Sequence, residues 1–130
     1  MTIFDKTFIG LENALDFASK RNEVITNNIA NSDTPFYKSK DVKFKSHLEK
    51  AMEKQIQNIR THPKHFKFSN DLSPFKVVTD HRTTFNHNGN NVDMDKEMSN
   101  LAKNQIYYQS VVDNVNTKFH QIQSVIRGGR

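Results

Sequence analysis

The sequence predicts a mainly α-helical protein: long N- and C-terminal helices paired as an antiparallel coiled coil, with a small irregular middle segment holding a short helix and minor β structure. Two runs of heptad spacing predict this, together with the absence of any such period between them. Near the N-terminus, Phe4, Phe8, Leu11, Leu15, Ala18, Asn22, Ile25 and Ile29 fall at alternating steps of four and three. Near the C-terminus, Met94, Met98, Leu101, Gln105, Tyr108, Val112, Val115, Phe119, Ile122 and Ile126 repeat the pattern. Such steps put each set on one narrow helical stripe, the seam of a coiled coil.

The first helix is expected over residues 4–31. Asn22 is the polar residue on its seam, and a buried seam amide fixes register at a cost in stability. A second, weaker stripe holds Ile3, Gly10, Ala14, Phe17 and Val24. One partner helix cannot cover both stripes, so the second is either exposed apolar surface or a contact for another subunit. Pro35 forces the helix to stop by Thr34, because the residue before a proline avoids the α conformation. Asn31, Ser32 and Asp33 are turn formers.

After the turn, Asp41 to Phe44 alternates like a short strand. Ser46 and Glu49 are spaced as a capping box, predicting a short helix to about Ile59. Residues 64–91 read as a loose hairpin or irregular loop, with β-like pieces at 77–79 and 83–85 and a turn at Asn88-Gly89. The last helix is expected over 93–127, capped by Asp93, favoured by Asp95 and Glu97 in its first turn, and stopped by Gly128. Three segments follow: an N-terminal helix in 1–34, a middle segment in 35–91 and a C-terminal helix in 92–130. Because the chain leaves and returns, Phe8 is expected nearer Ile122 than Met98, and Asn22 in the same half of the bundle as Gln105.

At 130 residues and 35% hydrophobic, with a mean hydropathy of -0.77, the chain suits a helical hairpin better than a thick globule. No apolar run approaches the roughly 20 residues that span a bilayer. The start lacks a basic region, an apolar core and a small-residue cleavage site, which predicts a cytosolic protein or export without a cleaved leader. Absence of cysteine excludes disulfides, thiolate metal sites and a cysteine nucleophile. The net charge is +5, and it is uneven: -2 over residues 1–37, +6 over 38–76 and +1 over 77–130.

His62 and His65 form an H-x-x-H pair, but Pro63 keeps them off one helical face, and no carboxylate set completes a metal site. No nucleophile motif or glycine-rich phosphate loop is present, so neither an enzyme nor a cofactor site is expected. Lys38, Lys40, Lys43, Lys45, Lys50 and Lys54 make a basic run around Tyr37 and Phe44. The run lacks arginine and any nucleic-acid-binding pattern, and Asp41, Glu49 and Glu53 interrupt it.

One string stands out at the exit of the first helix: Asn27-Asn28-Ile29-Ala30-Asn31-Ser32-Asp33-Thr34-Pro35-Phe36-Tyr37-Lys38. It resembles the signature of bacterial flagellar basal-body rod and hook proteins, N-N-I-A-N-x-x-T-P-G-Y-K. Asn88 to Met98, with Asn91, Val92, Asp93, Glu97 and Met98, continues the likeness, as do Tyr108-Gln109 and the closing Ile126 to Arg130. The likeness is strongest to the short proximal members of that family. It implies a structural subunit exported without a cleaved leader, polymerising in the periplasm into the helical tube of the rod. It implies as partners copies of itself, FlgC-like rod subunits, a FliE-like adaptor, and MS-ring or export-gate proteins, with no nucleic acid and no membrane insertion. Ile3, Ala14, Phe17 and Val24 then become a subunit interface. Phe36 departs from the family glycine: if that turn needs a positive φ, phenylalanine strains it. The competing classes are a coiled-coil adaptor or export chaperone and a nucleic-acid-binding helical protein.

Overall fold

The computed structural model describes residues 6–45, 73–81 and 87–128. Two long helices lie antiparallel, and a two-stranded sheet rests on one side of them. Helix α1 runs Lys6–Ala30 and helix α2 runs Met94–Ile126. At 25 and 33 residues they extend about 38 and 50 Å. Strand β1 (Lys40–Phe44) pairs antiparallel with β2 (Phe75–Thr79), Val42 opposite Val77 and Phe44 opposite Phe75. The expected extended segment 41–44 and β-like piece 77–79 therefore fall in the two strands of one antiparallel sheet. The expected short helix from Ser46 and the piece at 83–85 lie outside the described residues.

Both helices end as their sequences dictate. Asn31 folds its side chain back, Nδ2 donating at 2.8 Å to the Asn27 carbonyl, which also accepts from Asn31 N at 3.2 Å, so the last turn of α1 is closed by one residue. At the start of α2 the Asp93 side chain accepts from Lys96 N, with Asp95 and Glu97 in the first turn against the positive end of the helix dipole. Gly128 takes φ +84° just past the other end, the left-handed stop that glycine permits.

Three contacts fix the antiparallel register. Phe8 meets Phe119 edge-on at 5.3 Å between ring centroids. Midway, Asn104 Nδ2 donates to the Ala18 carbonyl at 2.8 Å. At the far end, Asn28 Nδ2 donates to Glu97 Oε2 at 3.2 Å. Ala18 and Ile25 of α1, and Glu97, Asn104 and Val111 of α2, are the buried residues along this line.

The seam of α2 differs from the stripe its apolar residues mark. The buried residues 97, 104 and 111 repeat every seven, but they stand one position before Met98, Gln105 and Val112, roughly 100° around the helix. Leu101, Val112, Val115 and Ile122 are half-buried on the flank of the contact, while Met94, Met98, Gln105, Tyr108, Phe119 and Ile126 are exposed in the isolated chain. On α1, Phe8, Leu11, Leu15 and Ile29 are half-buried and Phe4 lies outside the described residues. Asn22 is exposed, so the buried seam amide is Asn104. Asn22 and Gln105 do share one half of the bundle, lining a polar cleft with Ser19, Tyr108 and Gln109.

The second stripe of α1 is likewise not free surface. Pleating puts Lys40, Val42 and Phe44 on one face of β1, and Phe75, Val77 and Thr79 on the matching face of β2. That face lies on α1. Phe17 stacks on Phe44 at 4.4 Å and 18°, and meets Phe75 edge-on at 6.1 Å. Val24 and Val42 are buried. In the isolated chain the sheet thus lies over Phe17, and Val24 is buried, so neither side chain is bare surface. Ala14 is half-buried, Ile3 lies outside the described residues, and the Cα of Gly10 faces open space.

Truncating this layer is therefore expected to cost stability in the isolated chain. Phe17→Ser loses about 2 kcal/mol for a half-buried ring. Val24→Asn loses about 3 kcal/mol, because it also buries an amide. Urea midpoints measure both, and unchanged midpoints would show that the sheet does not cover the stripe.

Candidate functional site, a polar clamp between the two signature strings

The two strings singled out in the sequence are joined by side-chain amides at one end of the helix pair. Asn28, in the last turns of α1, has no exposed surface. Its Nδ2 donates to the Lys40 carbonyl at 2.8 Å and to Glu97 Oε2. Its Oδ1 accepts from Lys40 N at 3.0 Å and from Tyr37 Oη at 3.3 Å. The amide thus pairs with both backbone groups of Lys40, as a neighbouring strand would, and reaches α2 at the same time.

Asn90 is the counterpart from the other string and is also fully buried. Its Nδ2 lies 2.8–2.9 Å from the carbonyls of Asn31, Ser32 and Thr34. Its Oδ1 accepts from Val92 N at 2.7 Å. The turn that leaves α1 is therefore held by the segment that enters α2. Asn91 closes the sheet: Oδ1 accepts from Ser39 N at 2.6 Å and Nδ2 donates to the Asp80 carbonyl at 2.8 Å. Lys38 Nζ donates to the Gly89 carbonyl at 2.8 Å. Thr34 and Pro35 are exposed in the turn, and Asn31 is tied to it through Thr34 Oγ1. Of the other motif residues, Val92 is buried, Ile29 is half-buried, and Asn27, Ala30 and Met98 are exposed.

Phe36 has φ +60° and 79% of its surface exposed. The turn thus uses the left-handed conformation, at an expense of about 1–2 kcal/mol for a side chain with Cβ. Its N–H donates to the Asn88 carbonyl. Its ring lies over Gly89, whose own φ is +79° and where an added Cβ would stand 2.8 Å from a ring carbon. Gly89 is needed twice, for its backbone angle and for the ring above it.

Tyr37 ionises above its ordinary range, first because burial penalises the phenolate and second because the Glu97 carboxylate lies near. The clamp offers no nucleophile beside a base. Among the described residues, no group of three or more His, Asp or Glu side chains could hold a metal ion. This arrangement holds four chain segments in one geometry.

Asn90, Asn88 and Asn104 were not individually legible. An asparagine pairing with backbone looks the same in sequence as one on a solvated loop. The Asn88-Gly89 turn signal and the resemblance of the Asn88 to Met98 string pointed to the neighbourhood of Asn88 and Asn90, and neither gave their partners.

Residues 11–38 match the family model described as flagella basal body rod protein. Over the full length of both chains, the sequence is 45% identical to the flagellar basal body rod protein FlgB of Bacillus subtilis strain 168. It is 37% identical to that of Borreliella burgdorferi over 134 residues, and 33% identical to that of Aeromonas hydrophila over 126, with 96% of each chain covered. The chain belongs to the FlgB family of flagellar basal-body rod proteins. As a member it is a structural rod subunit of the flagellar basal body and not an enzyme, and it assembles with other basal-body components. The adaptor and nucleic-acid readings are not favoured. Among the described residues, no helix is long and apolar enough to cross a membrane.

Two outcomes test the clamp in this FlgB-family fold. Asn90→Ala strands Val92 N and removes a donor shared by three carbonyls. Asn28→Asp sets acceptor oxygens against the Lys40 carbonyl and Glu97. Each should lower unfolding free energy by about 3 kcal/mol in urea titrations.

The second outcome is a pH dependence. The Tyr37 pKa is raised in the fold, so its contribution is fully present below the unfolded value of about 10 and is lost as pH rises through the folded value. Stability measured from pH 9 upward should fall more steeply in the native chain than in Tyr37→Phe. Equal slopes would place the phenol in solvent.

Proposed function

We propose that this chain forms the wall of the proximal rod, each copy contributing its helix pair to a helical tube. The observation that supports this is the rotation of α2. Its apolar stripe does not point at α1 but lies exposed at Met94, Met98, Tyr108 and Ile126. Contiguous apolar surface on a small protein marks a partner site. In this reading neighbouring copies cover the stripe. The contact is heterologous and does not close on itself, which is the symmetry of a helical tube.

The clamp has a place in the same reading. A wall subunit must hold its two helices at a fixed angle while neighbours press on one flank, and buried amides resist sliding because any shift leaves them unpaired. FlgC-like subunits continue the tube, and a FliE-like adaptor with MS-ring or export-gate proteins meets its inner-membrane end. The chain reaches the periplasm through the flagellar export apparatus without a cleaved leader. Absence of cysteine suits passage as an unfolded chain.

The test compares export with assembly in the same cells. Met98→Ser together with Tyr108→Ser removes exposed side chains, so the isolated chain should keep its stability within about 0.5 kcal/mol. The doubly substituted subunit should still be secreted but should fail to build a rod, and the cells should be non-motile. Normal rods from this variant would show that the stripe is not covered by neighbours.

A further inference from the structure

Asn88 is the only asparagine in the chain that is followed by glycine. It is exposed, in the turn that leads into the clamp and α2. Glycine has no side chain to hinder its nitrogen from reaching the Cγ of the asparagine before it, so such a pair is able to cyclise. A fold suppresses the reaction when it engages one of the reacting groups.

Here the reacting groups are free or assisted. The Gly89 N–H, the nucleophile, donates to no group among the described residues. Asn88 Nδ2, the leaving nitrogen, donates to none either. Asn88 Oδ1 accepts from Asn90 N at 3.1 Å, a donor placed where negative charge grows as a nitrogen adds to Cγ. On the nucleophile's side, the Asn88 carbonyl of the same peptide unit accepts from Phe36 N at 3.1 Å. That bond polarises the unit and makes its N–H more acidic. Lys38 Nζ sits on the Gly89 carbonyl at 2.8 Å, and a positive charge so close favours the ionised nitrogen.

The buried asparagines are the opposite case. The Nδ2 of Asn28, of Asn90 and of Asn104 each donates to a backbone carbonyl. For Asn28 and Asn104 the following nitrogen belongs to a helix interior. Neither nucleophile nor leaving group is available there.

We propose that Asn88-Gly89 is a site of spontaneous succinimide formation, and that the clamp promotes the reaction. The Gly89 nitrogen gives its proton to solvent and bonds to Asn88 Cγ. The Cγ–Nδ2 bond breaks, and Nδ2 leaves as ammonia with a proton from water. Water then opens the ring at either carbonyl. Breaking the bond from Gly89 N to Cγ leaves an ordinary aspartate. Breaking the bond from Gly89 N to the main-chain carbon leaves an isoaspartate, whose backbone runs through Cγ with an extra carbon. In that product a free carboxylate replaces the carbonyl that holds Phe36 N, and the entry to α2 shifts against the turn that leaves α1. The clamp thus loosens as the subunit ages, whatever assembly it stands in.

The experiment incubates the full chain in mildly alkaline buffer, its helix content checked by circular dichroism, beside the same chain unfolded in urea. Peptide mapping by mass spectrometry follows loss of ammonia and then gain of water, and a protein isoaspartyl methyltransferase marks the isoaspartate. Asn88 should convert first in the folded chain, at least as fast as in urea, while Asn28, Asn90 and Asn104 stay unchanged. Slower conversion of Asn88 in the folded chain, or earlier conversion at another asparagine, would overturn the proposal.

Lys38→Gln should slow the folded-state reaction about fivefold, as when removing a nearby charge moves an ionisation by a little under about one unit. It should leave the rate in urea unchanged, and Lys38→Arg should keep the native rate. Equal folded-state rates for Lys38→Gln and the native chain would show that Lys38 takes no part. After ageing, the urea midpoint of the native chain should fall, while that of Asn88→Ser, which has no side-chain amide to lose, should stay where it began. A converted chain with an unmoved midpoint would refute the loosening of the clamp.

Discussion

The pairing of the Asn28 amide with Lys40 and Glu97 is the constraint on which the rest of the fold turns. Asn28 is fully buried, and its donors and acceptor are engaged by the β1 backbone, α2 and Tyr37. A buried amide left half-paired loses on the order of 1–3 kcal/mol. That penalty is large beside the few kcal/mol by which small domains are stable. The sheet edge, the exit of α1 and the entry of α2 therefore meet in one arrangement. Once Glu97 faces Asn28, residues seven and fourteen further on must face α1 too, and these are Asn104 and Val111. The rotation of α2 is thus set at its first turn by a polar contact, not along its length by apolar ones.

This priority explains where the apolar surface went. A helix pair assembled only for its own stability would turn Met98, Tyr108 and Phe119 inward. Here Met98 and Tyr108 stay exposed and only Phe119 reaches α1, through Phe8, while Glu97 and Asn104 occupy the seam. The monomer forgoes burial that would be worth about 1.5–3 kcal/mol for each large side chain. That surface remains available to other subunits. On the other side of α1, Phe17 and Val24 take the opposite course: in the isolated chain the ring of Phe17 packs on the sheet and Val24 is buried.

Much of the architecture was legible in the sequence for a physical reason. Long helices declare themselves through period and caps, and the observed spans Lys6–Ala30 and Met94–Ile126 fall within the expected 4–31 and 93–127. The Asp93 cap and the Gly128 stop need only local chemistry to be read. The positive φ at Phe36 was expected only conditionally, through the resemblance that puts a glycine at that position. What could not be read depends on rotation and on pairing at a distance. Heptad spacing says which residues share a stripe, but not which stripe faces the partner when a polar clamp outranks hydrophobic burial. Nothing in the segment Asp41 to Phe44 says that it pairs with residues more than thirty positions away, or that their shared face would lie on Phe17.

Register poses the same question at the middle of the bundle. Apolar packing alone is a weak guide here, because a slip of one heptad returns every residue to the same face. Asn104 breaks that degeneracy by donating to the Ala18 carbonyl, at a position where the small alanine lets the two backbones come close. Its Oδ1 is buried with no partner among the described residues. The amide therefore carries a penalty of about 1–3 kcal/mol that leucine would avoid. Its contribution is specificity, as with polar residues on coiled-coil seams. With Asn28–Glu97 at one end, Asn104–Ala18 at the centre and Phe8–Phe119 at the other end, the register is fixed at three points. Two of the three are polar. A subunit whose outer stripe must meet its neighbours in one register needs its inner register settled first, and polar contacts settle it more sharply than apolar area does.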